Sequence, residues 1–218
     1  MSDSPRFTRR NLFRGIGSST LVAGCAAKTG DPGLPPMPAV DNREPAALPL
    51  DGVALGPGPA SLRFKLNGAL QTVEVAPSVT LLEVLRHTLD ATGSKLVCDR
   101  GACGACTVLV DGVPRPSCMT LAHDVEDREV GTVEGLAIGG KPSPLQLAFV
   151  EHDALQCGYC TSGMLMSCQA LLSRTNHGLD ADTVKRAISG NLCRCGTYPN
   201  IVAAVLSVAS NSKSPRGA

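Results

Sequence analysis

The chain has 218 residues and a mass of 22.5 kDa, which leaves room for one or two ordinary domains. A formal net charge of +1 and an aromatic content of 3% argue against nucleic-acid binding, which needs clustered cations and rings that stack on bases. No stretch approaches the roughly 18 apolar residues of a membrane span, so we expect no membrane-spanning helix.

Residues 1–27 have the pattern of a bacterial twin-arginine export signal. Arg9 and Arg10 are followed by a weakly apolar stretch and then by small residues up to Ala27, which predicts export to the periplasm. A disordered basic tail is the alternative. The sequence around Cys25, VAGC, also fits a lipoprotein cleavage box, so lipidation of Cys25 and ordinary cleavage near Ala27 both stay open.

Residues 28–60 are predicted to be an extended linker. They carry eight of the 16 prolines, with Gly and Ala between them, a composition that cannot form a core. We interpret the segment as a tether or as a strap laid along a partner. Removing residues 1–27 takes away four arginines and one aspartate, so the Lys+Arg and Asp+Glu counts fall from 20 and 19 to 16 and 18. The exported chain is therefore slightly acidic.

Residues 61–138 predict a small α+β domain. The predicted elements, in chain order, are a strand over 62–66, a turn at Asn67-Gly68, a strand over 70–75, a helix over 81–89, and a strand over 107–110 that turns at Asp111-Gly112. Thr80 and Glu83 have the spacing of a capping box, which is why we begin the helix at residue 81.

Residues 139–212 change to a helical pattern and are followed by a short tail, 213–218. The first helix is predicted after Ser143, because Pro144 and Gln146 complete a capping box with proline in the first turn. Further helices are predicted after Cys160, around 182–188, and over about 199–210. Four helices of this size predict a small bundle.

Four cysteines in the first domain have the spacing of a plant-type [2Fe-2S] centre. Cys98, Cys103 and Cys106 follow the pattern C-x4-C-x2-C, and Cys118 lies further along the chain. Two irons need two thiolates each, so a tight loop has to wrap the cluster while the last ligand arrives from elsewhere. Gly101 and Gly104 let that loop bend and let amide groups face the cluster sulfurs. Zinc and disulfides are the alternatives, and both fit this crowded loop poorly.

The second domain contributes two cysteine pairs, Cys157 with Cys160 and Cys193 with Cys195. Each pair precedes a predicted helix, whose N-terminus would favour bound negative charge. Taken alone, these pairs fit an iron-sulfur centre, a zinc site or a redox dithiol. In an exported chain the eight cysteines could also form four disulfides.

Other reactive side chains are set aside. Both cysteine sets are complete without histidine, so no ligand role is expected for any of the four histidines, His87, His123, His152 and His177. Cys168 has the helical spacing of a buried free thiol. Tyr159 and Met164 are expected to pack in the bundle, with contact to a partner as the alternative.

Three segments resemble the iron-sulfur subunit of the xanthine dehydrogenase and aldehyde oxidase family of molybdenum hydroxylases. They are 98–108 (CDRGACGACTV), 156–164 (QCGYCTSGM) and 190–195 (GNLCRC). The resemblance runs from about Ser61 to Val208, and the export signal and the order CGTY after Arg194 look closest to periplasmic aldehyde oxidoreductase small subunits. It implies a β-grasp ferredoxin domain followed by a four-helix bundle, with one [2Fe-2S] cluster in each.

The resemblance also implies partners and a direction of electron flow. A large subunit would hold molybdenum on a pterin dinucleotide, and electrons would pass singly to the bundle cluster, then to the ferredoxin-domain cluster, and then to FAD on a third chain. Gln156 matches the family residue that hydrogen-bonds the pterin, and Cys195 matches the ligand near the pterin's amino edge. This chain would hold no substrate site of its own.

Two other interpretations remain open from the residues. The chain could be a free two-cluster ferredoxin that moves electrons between separate enzymes. It could also be a periplasmic binding module stabilised by zinc or by disulfides. Iron analysis separates the last interpretation from the other two.

Overall fold

The structure is a computed structural model that describes residues 56–174 and 178–211, all of them within one compact unit, Val53–Ala218. The predicted export signal with Cys25, most of the predicted linker, the tail 213–218 and His177 lie outside the described residues. The final linker residue, Ala60, already belongs to the first strand.

The first half of the described chain forms a five-stranded mixed sheet. Its strands are β1 (Ala60–Leu66), β2 (Ala69–Val75), β3 (Thr107–Val110), β4 (Val113–Pro116) and β5 (Glu129–Gly131). The strand order is β2-β1-β5-β3-β4, and only the β1–β5 pairing is parallel. Both predicted hairpins are confirmed. Positive φ angles of 50° and 82° at Asn67-Gly68, and of 50° and 75° at Asp111-Gly112, are those of tight hairpin turns.

The helix α1 packs on this sheet, and it begins at Leu81 as predicted. It consists of an α-helical turn, Leu81–Glu83, continued by a π-helical turn, Val84–Thr88. The capping box is present: the Thr80 amide donates to Glu83 Oε2 at 2.8 Å, and the Glu83 amide donates to Thr80 Oγ1 at 3.3 Å. The core between α1 and the sheet is apolar and buried, and includes Leu62, Phe64, Leu81, Val84, Leu85, Val108 and Val130.

Several short elements complete the first half. Strand β5 was not predicted, because its three residues are too few to show an alternating pattern. Three 3₁₀ turns, Ser117–Met119, Ala122–Val125 and Val133–Leu136, were not predicted either. Cys118 lies in the first of these turns, directly after β4, and is buried.

The second half forms the four predicted helices. They are α2 (Pro144–Glu151), α3 (Thr161–Arg174), α4 (Ala181–Ala187) and α5 (Tyr198–Asn211). Ser143 caps α2 through the predicted box with Gln146, and Asp180 caps α4. Their core includes Phe149, Met164, Cys168, Val184, Ile201 and Val205. Among the described residues, no helix is both long and apolar enough to cross a membrane.

Helix α3 joins the two halves because it packs on the cysteine loop that leads into β3. A side chain at Gly163 would collide with the carbonyl oxygen of Gly104 and would come within 3.1 Å of the Ala105 Cα atom. A side chain at Gly104 would in turn collide with the Gly190 carbonyl oxygen. Glycine at both positions lets the two backbones approach closely.

Candidate iron-sulfur sites

The eight cysteines predicted as ligands come together as four pairs of facing thiols. The pairs are Cys98 with Cys103, Cys106 with Cys118, Cys157 with Cys195, and Cys160 with Cys193. All eight are free thiols in the structure. Within 56–174 and 178–211, no three His, Cys, Asp or Glu side chains converge as they would around a single metal ion. Two thiol pairs at each site match what two bridged irons require.

The first site is a loop that bends at positive φ angles. Gly101 and Gly104 both have φ of 69°, which confirms the predicted bends. The amide of Gly101 donates to Cys118 Sγ at 3.3 Å, so the fourth cysteine is held against the loop that carries the other three. A Cβ atom at Gly101 would lie 2.9 Å from Met119 Cγ. This close approach and the positive φ angle together favour glycine at this position.

The two halves of the first site differ in environment. Amide groups facing the Cys98 sulfur, that of Arg100 foremost, lower the pKa of this thiol to about 7. Burial raises the pKa of the Cys118 thiol to about 11. Cys106 and Cys118 pack with Leu82 of α1, whereas Cys98 and Cys103 are partly exposed. The site therefore has a buried half and a half near solvent.

The second site lies where α3 and α5 begin, as the sequence predicted. Cys157 and Cys195 are exposed, and Cys160 and Cys193 lie deeper. Burial raises the pKa of Cys160 to about 12. Burial also opposes ionisation of Cys193, but the hydroxyl of Thr197, 3.3 Å from Sγ, and nearby amide groups outweigh it and lower the pKa of Cys193 to about 7.

The residues at both sites fit iron-sulfur clusters. Thiolates are the ligands such clusters use, and each site presents four of them with amide donors beside the sulfurs. The hydroxyl oxygen of Thr161, the residue after Cys160, is buried and has no hydrogen-bond partner among the described residues. A cluster on Cys160 would bring acceptor sulfurs close to that hydroxyl.

The two sites are connected by hydrogen bonds through their loops. The Leu192 amide donates to the Cys103 carbonyl oxygen at 2.9 Å. The side-chain amide of the neighbouring Asn191, which is buried, donates to the Gly104 carbonyl oxygen at 2.8 Å, and its oxygen accepts from the Ser167 hydroxyl at 2.7 Å. The ligand loops therefore contact each other directly, through one backbone hydrogen bond and through the Asn191 side chain.

Two family models match the chain. One is described as a 2Fe-2S iron-sulfur cluster binding domain and matches residues 64–137. The other is described as a [2Fe-2S] binding domain and matches residues 132–206. The aldehyde oxidoreductase iron-sulfur-binding subunit PaoA of Escherichia coli O157:H7 is 41% identical over 221 residues, which cover 95% of this chain and 90% of PaoA. The chain belongs to the family of [2Fe-2S] small subunits of molybdenum hydroxylases.

Other members of this family differ in the substrates that their names give. The nicotine 6-hydroxylase small subunit of Paenarthrobacter nicotinovorans is 49% identical over 142 residues, covering 65% of this chain and 85% of that subunit. Among solved structures, quinoline 2-oxidoreductase from Pseudomonas putida 86 superposes with a TM-score of 0.65 and 38% identity, covering 72% of this chain and 99% of the matched chain. The predicted fold class, a β-grasp ferredoxin domain followed by a helical [2Fe-2S] domain, is confirmed.

The other residues of this small subunit that the sequence analysis singled out differ in how exposed they are to solvent. Gln156 and Cys195 are exposed beside the second site, and their predicted contact with a pterin stays a prediction. Cys168 and Met164 are fully buried in the helical core, as expected. The packing predicted for Tyr159 is wrong, because its side chain is 63% exposed. It follows Gly158 in the turn before α3, where it points away from the helical core.

Three residues that support the second site received no role from the sequence. They are Asn191, Thr197 and Tyr198. The Tyr198 hydroxyl accepts from the Cys193 amide at 2.7 Å and donates to the Asn191 carbonyl oxygen at 3.1 Å. All three lie within four residues of a cysteine pair, and that proximity was the available signal.

Proposed function

We propose that this small subunit carries electrons singly from the molybdenum cofactor of a large subunit to an FAD subunit, or to another acceptor, in a periplasmic aldehyde oxidoreductase. The observation that carries the proposal is the pair of four-thiol sites joined through the Leu192–Cys103 hydrogen bond in one compact unit. The near full-length similarity to an aldehyde oxidoreductase subunit supports the choice of aldehydes as the substrate class.

Each cluster is assigned to four cysteines. Cys98, Cys103, Cys106 and Cys118 would hold the cluster of the ferredoxin domain, 61–138. Cys157, Cys160, Cys193 and Cys195 would hold that of the helical domain, 139–212. When bound, the two [2Fe-2S] clusters supply one-electron carriers in series, which can connect a two-electron donor to a flavin.

The exposed edge of the second site is where we place the molybdenum subunit. Cys157, Cys195 and Gln156 are exposed there. Three large apolar side chains, those of Leu155, Tyr159 and Leu192, are 40%, 63% and 58% exposed around the same loops. Apolar side chains grouped around a cofactor site indicate a surface that a partner covers. The Gln156 side-chain amide has both donor and acceptor atoms to offer to a pterin.

This surface favours a subunit over a free two-cluster ferredoxin, and the two are separated by purification. We expect a C-terminal affinity tag on this chain, produced in cells that make the native complex, to recover a molybdenum-containing large subunit and an FAD subunit in fixed ratio. Recovery of the iron-loaded chain alone, with full competence as an electron carrier between separate enzymes, would favour the free ferredoxin.

Export through the twin-arginine pathway is part of the proposal. The twin arginines, Arg9 and Arg10, support it, because that pathway moves folded, cofactor-loaded proteins and would carry partners that lack a signal. Replacing both arginines with lysine should retain the assembled enzyme in the cytoplasm. Export of the double variant at the wild-type level would contradict this route.

Mass spectrometry of the mature N-terminus would decide between a lipid on Cys25 and cleavage near Ala27.

A further inference from the structure

One side-chain hydroxyl contacts a predicted cluster ligand directly. Thr197 Oγ1 lies 3.3 Å from Cys193 Sγ, across the loop that carries Cys195. An iron-bound thiolate has no proton to give, so the hydroxyl is the donor. We propose that this hydrogen bond from Thr197 holds the reduction potential of the helical-domain cluster above the value it would have without the hydroxyl. The inference rests on the proposed function, because it requires a cluster on the second site.

The physical reason is the charge added on reduction. A reduced cluster carries one more negative charge than the oxidised cluster, and part of that charge resides on the ligand sulfurs. A donor aimed at a sulfur therefore stabilises the reduced form more than the oxidised form, which raises the potential. The Thr197 and Gly196 amides also lie toward the Cys193 sulfur. Positive partial charge is thus concentrated on one ligand, at the N-terminal end of the 14-residue helix α5.

The ligand loop is held in place independently of the Thr197 hydroxyl. Tyr198 bonds the Cys193 amide and the Asn191 carbonyl, and Leu192 bonds the Cys103 carbonyl. Gly196 makes the bend between the cysteine pair and α5 with φ of 80°. Replacing the hydroxyl with a methyl group should therefore remove one donor and leave the four cysteines where they are.

The two sites differ in which group donates to sulfur. At the first site the donor to Cys118 is the Gly101 amide, which every substitution except proline would leave in place. At the second site a side chain supplies a donor, so a single substitution can change it. The cluster of the ferredoxin domain consequently serves as an internal reference in every variant of Thr197.

The test is a redox titration of the purified holoenzyme followed by electron paramagnetic resonance. Thr197→Val keeps the shape and removes the donor, and Thr197→Ser keeps the donor. Thr120→Val is the matched control, because the Thr120 hydroxyl donates to the Pro116 carbonyl oxygen at 3.1 Å rather than to a sulfur. Thr197→Ala replaces the valine variant if that variant does not load iron. Iron content and the unfolding midpoint are measured for each variant.

We expect Thr197→Val to lower the reduction potential of the helical-domain cluster and to leave the potential of the other cluster unchanged. A comparison of spectra recorded in water and in heavy water should show one exchangeable proton fewer coupled to the reduced helical-domain cluster than in the wild type. Thr197→Ser and Thr120→Val should titrate like the wild type. An unchanged potential in a fully loaded valine or alanine variant, or an equal shift in the serine variant, would overturn the role of Thr197. A wild-type holoenzyme without a second binuclear signal would instead overturn the proposed function.

Discussion

The amide of Leu192 donates a 2.9 Å hydrogen bond to the carbonyl oxygen of Cys103. Leu192 directly precedes Cys193, a predicted ligand of the second site, and Cys103 is a predicted ligand of the first site. The two ligand loops are therefore in direct backbone contact. Side chains that hold these backbones together should affect both sites at once.

Asn191 should contribute strongly to stability, because its buried side chain holds three polar groups. It donates to the Gly104 carbonyl at 2.8 Å and to the Thr107 hydroxyl at 3.3 Å, and it accepts from Ser167 at 2.7 Å. Asn191→Ala should lower the free energy of unfolding by about 1–3 kcal/mol, since it leaves the buried Ser167 hydroxyl unpaired, while the Gly104 carbonyl and the Thr107 hydroxyl keep their 2.7 Å bond to each other. Asn200→Ala is the control, because the Asn200 side chain makes an exposed 3.2 Å bond to the Asp153 carbonyl. Equal denaturation midpoints for the two variants would contradict this role.

Gly163→Ala should destabilise the protein, although alanine in a helix is normally better than glycine by about 0.5–1 kcal/mol. The added methyl group would collide with the Gly104 carbonyl oxygen. We expect a net loss of about 1–3 kcal/mol from this overpacking, measured by thermal unfolding. Gly190→Ala, at a neighbouring glycine with no atom within 4 Å of the added carbon, should be tolerated. A stabilised Gly163→Ala variant would show that the halves do not pack this closely.

Tyr198→Phe should loosen the second site without affecting the first. The change removes the acceptor for the Cys193 amide and the donor to the Asn191 carbonyl. A chelator should therefore remove iron from the helical-domain cluster faster than in the wild type. The rate of iron loss from the ferredoxin-domain cluster should not change. Tyr159→Phe is the control, because that side chain is largely exposed and bonds to no described residue. Equal rates of iron loss in both variants would contradict this role of the Tyr198 hydroxyl.

The capping box of α1 should make a pH-dependent contribution to stability. The backbone amide of Thr80, followed by its hydroxyl, lowers the pKa of Glu83 from the ordinary value of 4.5. The stabilisation is present above that ordinary value and is lost as the pH falls through the lower folded value. The wild type should therefore be more stable than Glu83→Gln by less than about 1 kcal/mol near neutral pH, and the difference should shrink as the pH falls below 4.5.

The second capping box provides the comparison, because its acceptor is the neutral Gln146. Gln146→Ala should reduce the stability equally at every pH in the same urea series. A pH-independent effect of Glu83→Gln would show that the carboxylate charge does not act at the cap.

The sequence predicted the elements whose residues carry local signals. Asn67-Gly68 and Asp111-Gly112 mark turns through backbone preference, and Thr80 and Ser143 mark helix starts through their caps, so these positions were predicted correctly. Strand β5 was missed because its parallel pairing with β1 depends on the fold and not on its three residues. The π-helical end of α1 also has no local signal.

For the candidate sites, too, the sequence predicted one part, the cysteines, and missed another, the residues that support them. Cysteine spacing selected the eight thiols that the structure brings together in facing pairs, because cluster geometry constrains spacing directly, and their role as ligands stays a prediction. The supporting contacts of Asn191, Thr197 and Tyr198 depend on how two loops meet in space. Tyr159 was expected to pack in the bundle, yet it precedes the helix and is 63% exposed.

The central claim is that the eight thiols hold two separate binuclear clusters in a molybdenum enzyme. The most direct measurement is iron and molybdenum analysis of the native complex together with electron paramagnetic resonance of the reduced protein. We expect two distinguishable binuclear signals and about four irons per molybdenum. A single signal, or a complex that turns over aldehyde without iron in this chain, would contradict the claim.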